Sequence, residues 1–406
     1  MIRILDKEKC CGCESCVQVC PKQCIKFVKD WQGFGYPKVI ESECINCGVC
    51  EKSCPIINAS NKSLPSDVPL FAAYNDDARE RATSSSGGIF KQLASYVIAK
   101  KGVVFGAAFD EKWNVNHGYV ESVTEIERLK RSKYVQSSIK DNYKKVKSFL
   151  QDARLVLFVG TPCQIAGLKA FLKKDYENLL TVDVVCHGVP SPLVWKKYLG
   201  EIKAKVKKKN NVKNVEITHI SFREKAPSWR RFHLSFSYRL KRDGIDAIGP
   251  DSKIFSSSTF VWNDYYMLSF LNDYAIRPSC FKCKFRNGNS GSDLTLADFW
   301  GIEKWTDEAD FACDKGTSMV MLHSAKGKSL FLHIENVKMM PFTLQQAVYG
   351  NPAIVKSWSK PKFYNLYFIL LEICSIKNAY AISGKLQKAY EKCGWFYQRL
   401  LNKLKF

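Results

Sequence analysis

The chain has 406 residues, 46% of them hydrophobic and 13% aromatic, which is the composition of a folded protein of two or three domains rather than of a disordered chain. Lys and Arg outnumber Asp and Glu by 62 to 39, but no nucleic-acid-binding motif accompanies the formal charge of +23, so we expect no nucleic-acid partner. There are 17 cysteines, and no apolar leader precedes the first of them. This pattern indicates metal binding in a reducing, cytoplasmic location rather than disulfides.

Two cysteine runs near the N-terminus have the same spacing, Cys-x2-Cys-x2-Cys-x3-Cys, and each is followed by proline. The runs are Cys10, Cys13, Cys16, Cys20 and Cys44, Cys47, Cys50, Cys54. Bacterial ferredoxins use this pattern to bind two [4Fe-4S] clusters, with the fourth cysteine of each run crossing to the other cluster. We therefore expect a ferredoxin-type module over residues 1–60, in which Cys54 joins the first three cysteines. Zinc sites prefer separate Cys-x2-Cys pairs, which makes zinc the weaker interpretation.

The segment between the two runs is predicted to be a β-hairpin, with strands over residues 25–28 and 36–40. Cys11 and Cys24 lie outside both ligand patterns, and we expect them to be packed thiols. Residues 58–69 are rich in Ser, Asn and Pro, which is typical of a linker, and a larger body begins near Leu70.

A run of small residues precedes the first amphipathic helix of the body: Ser84, Ser85, Ser86, Gly87 and Gly88. Small residues at a helix N-terminus suit a phosphate or another anionic group. Ordinary helix capping explains the same residues equally well. A strand is then predicted over residues 102–109, and Thr124-x-x-Glu127 has the pattern of a capping box.

The next stretch predicts a βαβ unit with parallel strands. An apolar strand from Leu155 leads to Thr161, Pro162 and Cys163, where Thr161 is the expected helix cap, and a second strand over residues 179–185 ends at Cys186. Both cysteines then lie beyond the carboxyl ends of their strands, where open α/β sheets bind ligands.

Two further cysteines in a Cys-x2-Cys pair complete a candidate set for a third metal centre: Cys163, Cys186, Cys280 and Cys283. We interpret this set as ligands of another [4Fe-4S] cluster. Two unrelated buried cysteines and a small zinc or structural pair remain an equally good explanation of the spacing alone. Cys313, Cys374 and Cys393 fit no ligand spacing and are expected to be core thiols.

Six motifs in one order resemble the coenzyme F420 hydrogenase/dehydrogenase beta-subunit family of iron–sulfur flavoproteins. They are Ser84-Ser-Ser-Gly-Gly-Ile-Phe, Ser132-Lys-Tyr-Val-Gln-Ser, Gly160-Thr-Pro-Cys-Gln, Cys186-His-Gly, Cys280-x2-Cys283 and Asp293-Leu-Thr-Leu-Ala-Asp-Phe-Trp-Gly. The family commonly has Gly before Asp-Phe-Trp, where this chain has Ala297, and the added methyl group puts the role of Asp298 in doubt.

The resemblance implies FAD and, in the body, a cluster held by cysteines like those named above. The implied FAD-binding residues are Ser84, Ser85, Ser86, Gly87, Gly88, Ser132, Lys133, Tyr134, Gln136, Ser137 and Thr161. The expected fold is α+β or α/β, with the module followed by a mixed α/β flavin-binding body and a helical C-terminal tail. We expect the domain divisions at 1–60, 68–150, 151–345 and 346–406.

The expected reaction couples one-electron transfer through the module to the two-electron reduction or oxidation of an organic substrate or an F420-type hydride carrier. Reduced ferredoxin or such a carrier is the expected partner, and clustered arginines near Trp229 suit an anionic substrate or a charged surface loop equally. His187 and Lys133 are candidates for proton donation and for stabilising an anion, and Asp298 is a third catalytic candidate.

Two other classes remain open: an electron carrier without flavin that docks a partner enzyme, and a cluster-bearing nucleic-acid protein. No transmembrane segment is predicted, because the apolar stretch at 363–374 is shorter than the roughly 20 residues that span a bilayer. Lysines interleaved with apolar residues in the tail leave peripheral membrane contact open.

Overall fold

The computed structural model describes residues 1–59, 63–241 and 254–403, with side chains described except at 241 and 394–403. The predicted linker is therefore described only on either side of 60–62, and the last three residues of the predicted tail lie outside the described residues. The N-terminal module contains α1 (Ser15–Val19), β1 (Ile25–Lys29), β2 (Gly35–Val39) and α2 (Val49–Lys52). Its two strands pair antiparallel, with Ile25 opposite Val39, which confirms the predicted hairpin.

The body begins with β3 and alternates strands and helices. In chain order its elements are β3 (Leu70–Asn75), α3 (Ala78–Thr83), α4 (Ile89–Ala99), β4 (Val103–Phe109), β5 (Val115–Val120), α5 (Asn142–Gln151), β6 (Val156–Gly160), α6 (Pro162–Leu172), β7 (Leu179–Val184), α7 (Pro192–Asn210), β8 (Asn214–Glu224), β9 (His233–Lys241), β10 (Phe255–Phe260), α8 (Tyr265–Leu271), β11 (Leu294–Asp298), α9 (Ala309–Ala312), β12 (Ser318–Leu322), α10 (Ala325–His333), β13 (Val337–Phe342) and α11 (Leu344–Gly350). The tail consists of α12 (Tyr364–Ile373) and α13 (Ile376–Lys403).

One sheet of eight strands organises the body, in the order β13-β3-β12-β11-β7-β6-β4-β5. The central neighbours β11-β7, β7-β6 and β6-β4 are parallel, and the outer pairs are antiparallel. A second, antiparallel sheet has the order β10-β9-β8. The predicted mixed α/β body is therefore confirmed, and the carboxyl ends of β6, β7 and β11 meet at one edge of the large sheet.

The helices at this edge start where the sequence predicts. Thr161 and Gln164 form a capping box on α6 with Pro162 in its first turn, and the Ser191 hydroxyl accepts a hydrogen bond from the Leu193 amide at the start of α7. The cap at Thr161 follows β6 directly, so it positions the turn that carries Cys163 at the sheet edge.

The capping box predicted at Thr124 is wrong. Residues Thr124–Arg128 form a short 3-10 helix without a side-chain cap, and the Glu127 carboxylate instead accepts a hydrogen bond from Lys130 at 2.8 Å. Lys130 is buried and also pairs with Glu80 at 2.5 Å. Pairing this buried ammonium group takes Glu127 away from the helix cap, because an unpaired buried charge is costly.

The module packs directly on the body through its hairpin turn. Phe34 is fully buried in a core cluster that includes Trp195 of α7 and Phe368 of α12. Gly33, with φ of 83°, fits against Leu193, where an added Cβ would lie 2.4 Å from the Leu193 Cβ. The tail helix α12 thus covers the hairpin and fixes the position of the module.

A second contact uses side chains of the module to cap a helix of the body. The buried Glu14 carboxylate accepts hydrogen bonds from the Ile139 and Lys140 amides at 3.0 Å, just before α5. The Gln18 side-chain oxygen accepts another from the Tyr143 amide at 3.0 Å. Amides at a helix N-terminus need such acceptors, so α1 and α5 are positioned together.

The tail helices pack on the body, as the sequence predicts. The buried face of α12 carries Tyr364, Tyr367, Phe368 and Leu371. Cys374 is half-buried, but Cys393 is exposed on α13, so its prediction as a core thiol is wrong. Among the helices that the structure describes, none is both long and apolar enough to cross a membrane.

Candidate electron-transfer and flavin site

The cysteines of the two N-terminal runs line two separate cavities of the module. The inner cavity is lined by Cys10, Cys13, Cys16 and Cys54. The outer cavity is lined by Cys20, Cys44, Cys47 and Cys50. In each cavity the fourth cysteine comes from the other run, which is the grouping that the spacing predicts.

The two extra cysteines of the module also lie at these cavities. Cys24 is buried, lines the outer cavity and has its Sγ 3.5 Å from the Cys20 Sγ. Cys11 is buried, lines the inner cavity and packs with Cys13 and Cys163. Both are packed thiols as predicted, but the sequence does not reveal that Cys11 touches the body.

The four candidate cysteines of the body come together at the carboxyl edge of the sheet. We call Cys163, Cys186, Cys280 and Cys283 the body cysteines. Burial raises the pKa of the Cys186 thiol, and the neighbouring Cys280 and Cys163 thiols raise it further. Cys163 and Cys283 also pack with Cys11, Cys13 and Phe285. The set therefore lies directly against the inner cavity.

Among the described residues, no three His, Cys, Asp or Glu side chains are arranged around the position of one metal ion. The ligands of a [4Fe-4S] cluster bind four different iron atoms, so they surround a larger volume than the ligands of one ion.

At the end of β11, the Asp298 carboxylate is held in a buried polar network. Arg223 donates to both of its oxygens, at 2.8 and 3.0 Å, and the Trp229 indole donates to one of them at 2.7 Å. Arg223 also donates to the Ser85 carbonyl at 3.2 Å and to the Tyr134 hydroxyl at 3.3 Å. Burial opposes the charge of Arg223, but the Asp298 carboxylate outweighs it and raises the pKa of Arg223. We call these residues the Asp298 network.

The methyl group of Ala297 lies away from this network. Ala297 packs in the apolar cluster around Met319, whereas Asp298 binds Arg223. Consecutive residues of a strand project to opposite faces, so the departure from the family pattern leaves the Asp298 contacts intact.

The two stretches that the resemblance assigns to FAD meet in the structure. The Ser85 hydroxyl accepts a hydrogen bond from the Ser132 amide at 2.9 Å. The turn from Ser84 to Gly88 is fixed by two hydrogen bonds to the start of β12. The Gly87 amide donates to the Ser318 hydroxyl and the Ser86 hydroxyl donates to the Thr317 carbonyl, both at 3.0 Å. The turn is therefore a rigid start for α4.

Several nitrogen atoms beside this turn suit an anionic group. Gly88, with φ of 86°, starts α4 without a side-chain cap, which leaves the helix N-terminus for a ligand. The Nδ2 atom of Asn75 and the Nε atom of Arg223 are buried without a hydrogen-bond partner. Lys225 reaches the Ser86 carbonyl at 2.6 Å, and burial lowers the pKa of this lysine to about 7. The residues fit the phosphate end of a cofactor such as FAD.

The three predicted catalytic side chains bind different partners. His187 lies 2.8 Å from the Asp273 carboxylate and stacks beside Phe270 and Trp358. Lys133 donates to the carbonyls of residues 129, 130 and 131, and burial lowers its pKa to about 7. Only Asp298 lies in the network beside Ser85.

The other predicted FAD residues occupy two places. Tyr134 contacts Arg223 in the Asp298 network. Gln136 instead faces the module, where its Nε2 donates to the Cys11 carbonyl at 3.4 Å. Ser137 bonds His117, and Thr161 lies 3.3 Å from the Cys163 Sγ. The second group therefore belongs to the contact between the module and the body cysteines.

The sequence does not single out Asn75, Lys225 or Asp273. For Arg223 and Trp229 it does not decide between a substrate pocket and a charged surface loop. Arg223 and Trp229 are buried, whereas Arg230 pairs with Glu303 at 3.0 Å near the surface.

Comparisons with known proteins agree with this architecture. Residues 9–57 match the model of the 4Fe-4S dicluster domain, and residues 153–343 match the model of the C terminus of the coenzyme F420 hydrogenase/dehydrogenase beta subunit. The coenzyme F420-dependent sulfite reductase of Methanocaldococcus jannaschii is 26% identical over 200 residues, which are 48% of this chain and 30% of that protein. An uncharacterized ferredoxin of the same organism is 44% identical over 52 residues, 13% of this chain and 66% of the ferredoxin.

Among solved structures, the chain is similar to the F420-reducing [NiFe] hydrogenase complex of Methanosarcina barkeri. The identity is 13% and the TM-score is 0.42, with 72% of this chain and 90% of that chain covered.

The dicluster match and the two cysteine-lined cavities indicate an iron–sulfur protein with a ferredoxin-type module. The resemblance to the F420 family is confirmed: residues 153–343 match the C terminus of the coenzyme F420 hydrogenase/dehydrogenase beta subunit, and residues 9–57 match the 4Fe-4S dicluster domain.

Proposed function

We propose that this chain is an iron–sulfur flavoenzyme that links one-electron transfer through its module to a two-electron change in an organic substrate or an F420-like hydride carrier. One observation carries the proposal: body cysteines pack against the inner cavity at the same edge of the large sheet that carries Asp298 at the end of β11. The expected electron partner is reduced ferredoxin or an F420-type carrier, as the family of the body suggests.

The proposed ligands fall into three sets of four cysteines. Bound [4Fe-4S] clusters supply one-electron transfer, and a bound flavin exchanges single electrons for pairs. The outer set includes the exposed Cys47 and is accessible to a partner. The inner set touches the body through Cys11 and Cys13, and the body cysteines form the third set.

The Asp298 network and the turn at Ser84 to Gly88 are proposed to bind FAD. Asn75 and the N-terminus of α4 offer N–H donors to a phosphate, and Arg223 holds the turn against β11 through the Ser85 carbonyl. His187 is proposed to hold a proton for the substrate, because Asp273 fixes its ring orientation at 2.8 Å. Lys133, enclosed by backbone carbonyls, is proposed to stabilise anionic charge nearby.

Anaerobic purification tests the cofactors. We expect about twelve irons per chain and a flavin spectrum, because three [4Fe-4S] clusters hold four irons each. The variant Cys280→Ser should lose about four irons, whereas Cys393→Ser, at an exposed position, should lose none. About eight irons in the unaltered protein would contradict the third cluster.

The flavin site has its own test. Asn75→Asp keeps the acceptor that the Asp77 amide uses but replaces the unpartnered donor with a carboxylate oxygen, which should repel a phosphate. We expect loss of most bound flavin with unchanged iron content and circular dichroism. Full flavin retention would place the cofactor elsewhere. Bleaching of the flavin by photoreduced ferredoxin or by an F420-type donor would identify the partner.

A second candidate, an electron carrier without flavin, is favoured by one observation. The hydroxyls of Ser84, Ser85 and Ser86 already bond Glu80, Ser132 and Thr317. Protein that is replete in iron but lacks flavin absorbance would support this candidate.

A further inference from the structure

Arg277 is a fully buried arginine at the contact between the module and the body. Its Nε donates to the Cys10 carbonyl at 2.7 Å, and its Nη2 donates to the Gly35 carbonyl at 2.9 Å and contacts the Cys10 Sγ at 3.6 Å. Its guanidinium also lies 4.3 Å from the centre of the Tyr36 ring. Four polar and aromatic contacts therefore join one body residue to the module.

The charge of Arg277 has no carboxylate partner among the described residues. The cysteine sulfur that contacts it is the Cys10 Sγ, 3.6 Å from Nη2. Leaving an ion buried and unpaired costs several kcal/mol, so such a residue normally faces an opposite charge. Cys10 lines the inner cavity, and as a ligand of a bound cluster its thiolate would supply this opposite charge.

The orientation of the guanidinium is fixed from the body. The Gln136 side-chain oxygen accepts a hydrogen bond from Arg277 Nη1 at 3.2 Å. The glycine that follows Cys11 makes room for this contact, because a Cβ at Gly12 would lie 2.6 Å from Gln136 and 2.8 Å from Arg277. The guanidinium is thus held between Cys10 of the module and Gln136 of the body.

We propose that Arg277 is a positioning residue that raises the reduction potential of the inner [4Fe-4S] cluster above that of the outer one. The proposal rests on the dicluster module and needs neither the flavin nor the third cluster. A cluster gains one negative charge on reduction, and a nearby cation with a hydrogen bond to a ligand sulfur stabilises that charge. Electrons that enter the module would therefore reside on the side facing the body.

A redox titration of the anaerobic full-length protein, followed by electron paramagnetic resonance, tests the proposal. The two clusters of the module should show two separate reduction steps, in addition to the step of a third cluster, which the variant Cys280→Ser identifies because that step disappears. In Arg277→Met the reduction potential of the higher step should fall by at least about 59 mV. For one electron this is a tenfold change in the reduction equilibrium. The lower step should not move. Arg277→Gln, which keeps polar contacts without charge, should shift the same step in the same direction, and Arg277→Lys should shift it least.

Arg81 provides a matched control. It is buried, lies 3.8 Å from the centre of the Tyr74 ring, donates to backbone carbonyls and contacts the Cys313 Sγ at 3.4 Å, but Cys313 belongs to none of the three cysteine sets. Arg81→Met should leave both potentials unchanged.

Iron content and the unfolding temperature show whether each variant is loaded and folded. Loaded variants of Arg277 with unchanged potentials would overturn the proposal, as would an equal shift in the Arg81 variant. If Arg277→Met does not bind its clusters, the reduction potentials of Arg277→Gln and Arg277→Lys test the proposal instead. If the unaltered protein lacks flavin, or holds about eight irons instead of twelve, only the proposed function is contradicted. The two reduction steps of the module can still be measured in that case.

Discussion

Asp298 and Arg223 form a buried ion pair, and few other side chains could take the place of either partner. The side chain of Arg223 is 3% exposed and that of Asp298 is 17% exposed, and the guanidinium binds both carboxylate oxygens. A bidentate pair of this kind is stronger than a single hydrogen bond and fixes the angle between the groups. The pair therefore stabilises the body as well as shaping the candidate flavin site.

The variant Asp298→Asn should be strongly destabilised, because it leaves the Arg223 charge buried without its counter-ion. We expect a loss of about 3–5 kcal/mol in the free energy of unfolding, measured by denaturant titration. The control is Glu303→Gln, which removes the half-exposed partner of Arg230 and should cost less than about 1 kcal/mol. Equal losses in the two variants would contradict this account of the network.

Individual residues differ in how far the sequence predicts them. The cysteine runs are predictable because ligand spacing along the chain is itself the signal, and Cys54 joins Cys10 in the inner cavity as expected. Gln136 is different: its motif suggests a cofactor, but its side chain binds Cys11 and Arg277. Short motifs do not state which neighbour a side chain meets, because that depends on contacts between residues far apart in sequence.

At the scale of elements, α6 meets the module through a glycine. A Cβ at Gly167 would lie 2.7 Å from the Cys13 Cβ and 2.9 Å from the Tyr143 hydroxyl. At this point the helix can approach the inner cavity because Gly167 has no side chain. Gly200 of α7 has no atom within 4 Å of its ideal Cβ position, so it offers a helical glycine without this constraint.

We expect Gly167→Ala and Gly200→Ala to have opposite effects on thermal stability. Alanine is favoured over glycine in a helix by up to about 1 kcal/mol, so the Gly200 variant should unfold at an unchanged or higher temperature. The Gly167 variant must move either Cys13 or Tyr143 and should unfold earlier and bind less iron. An equally raised unfolding temperature for both would show that α6 and the module do not touch at this point.

The elements themselves were predictable wherever local patterns decide them. The caps at Thr161 and Ser191, the hairpin of the module and the parallel pairing of β6 with β7 agree with the sequence. The capping box at Thr124 failed because the buried Lys130 attracts Glu127, which is a tertiary effect. The antiparallel strands β12 and β13 beside β3 were not predictable, since their pairing depends on residues more than 200 positions away.

On the scale of the whole molecule, several separate contacts hold the module on the body. The hairpin turn fits Leu193, Glu14 accepts hydrogen bonds before α5, and Arg277 reaches Cys10. The sequence suggests two domains joined by a linker, because a composition shift marks a boundary but does not show packing across it. The structure shows instead that the linker is one connection among several.

Cutting the linker should therefore leave the module in place. A protease site inserted after the exposed Ser66 can be cleaved in the folded protein, and we expect both fragments to elute together in gel filtration at low salt.

The double variant Glu14→Ala and Gln18→Ala removes the acceptors for the amides at α5 and should release much of the cleaved module, because buried amides left unpaired cost about 1–3 kcal/mol each. The matched control is Glu43→Ala, at an exposed position of the module, which should not change elution. Separation of the cleaved but otherwise unaltered fragments would mean that the linker alone holds the module, and the inner cavity would then lose its fixed place beside the body cysteines.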